Sequence, residues 1–93
     1  MIDPDELAAA QRRKLELLDA VLAAIERRSE VLDIVSEAES PEAALLPVQN
    51  LLGITEENAW AVIDLQFRRL TKSNVARIEW ERDELRAQWG DDV

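Results

Sequence analysis

The stretch Gly53-Ile54-Thr55-Glu56-Glu57-Asn58-Ala59-Trp60-Ala61-Val62-Ile63-Asp64-Leu65-Gln66-Phe67-Arg68-Arg69-Leu70-Thr71 combines a helix stop, a helix start and an apolar stripe. Gly53 can end a preceding helix by taking a left-handed backbone angle, and the Thr55 hydroxyl can accept from the free amides of the next helix. Glu56 and Glu57 then fall in the first turn, where the positive end of the helix favours carboxylates. Beyond them Ala59, Ile63, Phe67 and Leu70 recur at three- and four-residue steps and form one stripe, while Val62 and Leu65 add apolar surface to adjoining faces. One helix therefore has two apolar surfaces to hide, and the surplus points to a partner.

Upstream, Ser40-Pro41-Glu42 repeats the same start logic ahead of the apolar run Ala43 to Leu52, in which Pro47 removes an amide donor and predicts a kink or break. Before it, Val31, Leu32, Ile34 and Val35 give a short apolar helix that needs tertiary cover. At the N-terminus Asp3-Pro4-Asp5-Glu6 starts a long helix with a capping-box-like spacing. Leu15, Leu18, Leu22 and Ile25 fall at alternating three- and four-residue steps, with Ala8 and Gln11 before them and Ser29 and Leu32 after, which is a coiled-coil seam. That helix is expected to end near Arg27-Arg28, with Ser29 starting the next. Downstream, a charged helix beginning between Thr71 and Asn74 carries Val75, Ile78, Leu85 and Trp89 on one seam, interrupted by Arg82.

The predicted fold is all-α: an antiparallel two-helix coiled-coil stem carrying a small bundle of short helices. One domain covers 1–93, with a first stem helix over 4–28, short helices over 29–70 and a return helix over 71–90. Asp91-Asp92-Val93 is expected to fray.

A chain of 93 residues buries only about 60 to 70% of its unfolded surface. It has no cysteine and no histidine, so disulfides, thiolate metal sites and the usual general base are excluded. The net charge of −9 argues against autonomous binding to duplex DNA, whose sequence-independent affinity comes from Lys and Arg neutralising phosphates. The start Met1-Ile2-Asp3-Pro4-Asp5-Glu6 is acidic where a secretory signal is basic, and no apolar run approaches the ~18 residues that span a bilayer. A cytoplasmic protein without membrane contact is expected, and Met1 followed directly by a capped helix reads as the start of a complete chain. The acidic residues are interspersed with Arg12-Arg13-Lys14, Arg27-Arg28 and Arg68-Arg69, which reads as solvated helix faces rather than the unbroken acidic face of a DNA mimic.

Chemistry has few places to reside. Asp33, Glu37, Glu39 and Glu42 are close in sequence, but no tight loop with glycine at the sharp turn converges them on a cation. Ser29, Ser40, Thr55 and Thr71 each have a capping role. No catalytic, cofactor-binding or metal-binding residues are assigned. Trp60 lies off the main stripe and suits either a partner surface or the chain's own stem; Trp80 lies off its seam, either covering the short helices or exposed; Trp89 closes the end of the stem.

The run Thr55 to Thr71 resembles the segment that closes the exit gate of bacterial type IIA topoisomerases. In the A subunits of DNA gyrase and topoisomerase IV, two copies of it meet across a two-fold axis at the far end of a long coiled coil. The similarity of element order extends from Ser29 to Leu85: the short helix Glu30 to Glu37, the start at Ser40-Pro41-Glu42, the junction Gly53-Ile54-Thr55-Glu56-Glu57, the Ala-rich gate helix, and Arg68-Arg69-Leu70-Thr71 leading into a charged helix. The resemblance implies a homodimer through Ala59, Trp60, Ile63, Gln66, Phe67, Arg69, Leu70 and Thr71, with Arg68 and Arg69 placed for cross-dimer pairs to Asp64 or Glu57. It also implies the A subunit of DNA gyrase or topoisomerase IV as a partner. The family's DNA-cleaving nucleophile is a tyrosine in a separate winged-helix domain; this chain has no tyrosine, so a non-enzymatic module is expected. Departures concern pairing with a gyrase subunit more than the fold: Trp60 replaces a usually polar residue, Gln66 stands where a basic residue is common, Lys72-Ser73-Asn74 replaces a small-apolar-acidic turn, and Pro47 sits in a helix that normally lacks proline. Two alternatives stand beside this reading: an acidic decoy that mimics DNA, and a degenerate structural dimerisation module with no topoisomerase role.

Overall fold

A computed structural model describes residues 3–65 and 71–89. Among them every regular element is helical: α1 Pro4–Glu26, α2 Arg28–Glu37, α3 Pro41–Leu52, α4 Glu56–Ile63 and α5 Lys72–Trp89. The all-α expectation holds.

Four helix starts use the residue expected of them, whereas α2 begins at Arg28 without the Ser29 cap or any other side-chain cap. The Asp3 carboxylate accepts from the Asp5 amide at 3.1 Å, Ser40 Oγ from Ala43 at 3.2 Å, Thr55 Oγ1 from Asn58 at 3.2 Å, and Thr71 Oγ1 from Asn74 at 3.4 Å. Gly53 sits at φ 66° and ψ 41°, the left-handed conformation. Its amide and that of Ile54 both donate to the Gln49 carbonyl, at 2.8 and 3.3 Å, closing α3.

The joint between α1 and α2 lies at Arg27 rather than at Ser29. The Arg27 guanidinium pairs with both Glu30 oxygens, at 3.0 and 2.6 Å, and also donates to the Leu51 carbonyl at 3.0 Å. That carbonyl is one of the four at the end of α3 that no helical amide can reach. The break thus frees a side chain that ties the stem to α3.

Of the kink or break expected at Pro47, the break does not occur: α3 is one helix through it. Ala43, Leu46 and Pro47 all face solvent, so the Ala43 carbonyl, which loses its amide partner to the proline ring, lies on the wet side of the helix. Ala44 and Val48 on the opposite side are fully buried. The cost of the proline falls where water can offset it.

The gate helix is shorter than its sequence pattern. It ends at Ile63; the Asp64 amide still donates to Trp60, while Leu65 reaches back only three residues to Val62, the tightened last turn common at helix ends. The continuation through Gln66, Phe67, Arg68, Arg69 and Leu70 lies outside the described residues.

Ala24, Val48, Ala59 and Val62 form the core, with Val31, Ile34, Leu45, Leu52, Ile54 and Ile63 packed against it. It therefore sits where α1 to α4 meet, and Ala20 and Ala24, which the seam does not predict, are buried on a second face of α1. Small side chains there allow close approach of neighbouring helices.

Helix α5 returns antiparallel along α1. Arg86 and Arg82 reach Asp19 at 2.8 and 4.0 Å, Lys14 reaches Glu81 at 3.6 Å, and Leu22 and Ile25 share a cleft with Val75 and Arg82. Leu15, Leu18 and Ile25 of the α1 seam are buried, whereas Val75, Ile78 and Leu85 of α5 are only half-buried. Arg82, where the seam is interrupted, is half-buried beside Asp83 at 2.9 Å.

Candidate functional site

Helix α4 is fixed by its own capping: the Gly53 stop aims the chain and Thr55 starts it, with Ala59 and Val62 turned into the core. Ala59 is fully buried by the chain itself, so it supports the surface around it from beneath. Trp60 and Ile63 are half-buried on flanking faces, and Asp64 is exposed. Thr71 is exposed and occupied as the α5 cap. Gln66, Phe67, Arg69 and Leu70 lie outside the described residues. Trp80 is 62% exposed, which settles its reading in favour of solvent.

Sequence reasoning misses a groove of about 460 Å³ between α1, α2 and α4, lined by Ala24, Arg28, Ser29, Val31, Leu32, Val35, Val62, Ile63 and Leu65. Periodicity puts Leu32 on the stem seam as a continuation of α1. The break at Arg27 removes it from that seam, and it stands half exposed at the groove instead. Leu46 is also exposed, beside Pro47 on the outer side of α3.

Charge is segregated. Residues 29–67 carry eight acidic side chains and no basic one, whereas residues 1–28 carry six acidic and five basic, and residues 68–93 carry six of each. The interspersion read from the sequence thus holds for the stem and fails for the short helices. All eight of those carboxylates are exposed. Glu30 has its carboxyl held below the ordinary glutamate value, chiefly by the hydrogen bonds from Arg27, whose own value is raised in turn. Among the described residues, no three carboxylates converge in a way that would hold a metal ion, and no helix is long and apolar enough to cross a membrane.

No protein-family model matches the chain. It is 32% identical over 75 residues to the DNA gyrase A subunit of Brachyspira hyodysenteriae, a match covering 81% of this chain and 9% of that protein. It is 33% identical over 73 residues to the DNA topoisomerase 4 A subunit of Salmonella typhimurium, covering 78% of this chain and 9% of the relative. The DNA gyrase A subunit of Staphylococcus epidermidis is 28% identical over 74 residues, covering 80% and 8%. The chain spans less than a tenth of the length of these curated relatives, and within that span it resembles the A subunits of the type IIA topoisomerases along most of its own length.

Proposed function

We propose that this chain is a non-catalytic dimerisation module of the exit-gate kind, with α1 and α5 as a short coiled-coil stem and the short helices as its tip. Two copies meet through Trp60, Ile63, Gln66, Phe67, Arg69, Leu70 and Thr71, while Ala59, buried in the chain's own core, anchors α4 from within. The observation that carries the reading is the similarity to the topoisomerase A subunits over about four fifths of the chain. The half-buried Trp60 and Ile63 on the flanks of α4 support it, since each leaves apolar surface for a partner. A cytoplasmic location and association with the A subunit of DNA gyrase or topoisomerase IV are parts of the same reading. Charged contacts by Arg68 and Arg69 contribute only ~0 to 1 kcal/mol each at an exposed interface, so apolar burial drives association.

The test is the solution mass by light scattering, on the wild type and on Phe67→Glu. A dimer that becomes a folded monomer on substitution supports the gate, and justifies mixing the chain with the gyrase A subunit. A monomeric wild type sinks the homodimer.

A second reading is favoured by the eight exposed carboxylates of residues 29–67, of which Glu30 is paired with Arg27: an acidic decoy that imitates DNA. Displacement of duplex DNA from a basic protein by the chain would support it, and failure to displace at low salt would remove it.

A further inference from the structure

We infer that the groove between α1, α2 and α4 is a docking site for a basic amphipathic helix of a partner protein. It is a separate surface from the exit gate, although Ile63 borders both. Its floor is apolar, supplied by Val31, Val35, Val62, Ile63 and Leu65, and Leu32 stands at its edge with half its surface in water. A concave apolar floor flanked by a convex leucine suits the apolar face of a helix, which seats side chains at three- and four-residue spacing.

Charge selects which helix. Asp33 on α2 and Asp64 at the end of α4 are exposed beside groove-lining residues, and six further exposed carboxylates lie on the same short helices and the connection between α2 and α3. Arg28, the cation that lines the groove, donates to the Ile25 carbonyl at 3.0 Å, at the end of α1, and keeps its charge, which is one against the eight carboxylates of residues 29–67. A helix with lysines or arginines flanking its apolar face is therefore drawn in. A second copy seated in this groove, rather than at the gate, would set Asp33 and Asp64 against short helices on which Arg28 is a lone described cation among carboxylates. A decoy for nucleic-acid-binding grooves would use the carboxylates and leave the apolar floor without a role.

The test uses the full chain and a synthetic helix of about 14 residues, with leucines on one face and lysines elsewhere, against a control with glutamates for lysines. Binding is followed by amide chemical-shift changes. The lysine peptide is expected to perturb the C-terminal half of α1, α2 and α4, and to weaken about tenfold when salt rises from ~50 to ~500 mM. Leu32→Glu, at an exposed position where folding is not at stake, and the double variant Asp33→Lys with Asp64→Lys are each expected to weaken it about tenfold. Phe67→Glu leaves peptide binding unchanged even where it splits the dimer, so the groove and the gate fail independently. No binding, equal binding of the glutamate peptide, or shifts confined to other helices overturns the proposal. Self-association of the wild type that Leu32→Glu abolishes overturns it in favour of a second copy.

Discussion

Gly53 occupies a left-handed backbone angle, and a methyl group added there would meet nothing within 4 Å. Any cost of substitution is therefore conformational: Gly53→Ala is expected to lower stability by about 1 kcal/mol, read as a shifted urea midpoint with unchanged slope. A loss of several kcal/mol would mean that the junction does more than turn the chain. Arg27 and Glu30 give a second prediction. The folded-state value of Glu30 is depressed, so its contribution is complete above the ordinary carboxylate range and is lost as pH falls through the lowered value. Wild type and Glu30→Gln should therefore differ in urea midpoint at neutral pH and converge once the pH has fallen below the lowered Glu30 value; equal midpoints at neutrality would show the pair to be thermodynamically idle. Asp3, Ser40, Thr55 and Thr71 are legible as caps because each acts within three residues of itself. The Arg27 contact is not legible, because its acceptor, the Leu51 carbonyl, is 24 residues away in sequence.

Helices reveal where periodicity stops being informative. Pro47 reads as a kink or a break because local rules cannot tell which side of the helix faces water; the structure places it on the wet side, and α3 does not break. Pro47→Ala restores an amide donor to the Ala43 carbonyl and gives back some freedom to the unfolded chain. It is expected to raise stability by about 2 kcal/mol, measured by the same denaturant midpoint. No gain would mean that the proline ring itself packs usefully. The stripe through Ala59 and Ile63 is visibly apolar, yet periodicity gives no sign that α4 stops at Ile63. On α1 the leucine seam is visible and the second face, Ala20 and Ala24, is not, because alanine signals neither core nor surface in a sequence. The groove is hidden for a related reason: a change of helix direction at Arg27 reassigns every residue after it, Leu32 included.

Among the described residues, those with no exposed surface gather where α1 to α4 meet, while no described side chain of α5 is buried. Cooperative stability should be graded accordingly. In native-state hydrogen exchange, α5 amides are expected to exchange faster than those of α3, through local opening that leaves the core closed; uniform protection across all five helices would contradict this gradient. The coarse architecture is readable because helix starts and stops are written locally, and the candidate site is only partly so because a surface is assembled from residues distant in sequence. One consequence of the charge segregation concerns motion. The body measures 43 × 26 × 24 Å and carries almost all of its excess charge on the short helices, beside a nearly neutral helix pair. Such a particle has a permanent dipole, so an approaching cationic body exerts a torque on it before any contact forms, and collisions arrive with the molecule already turned.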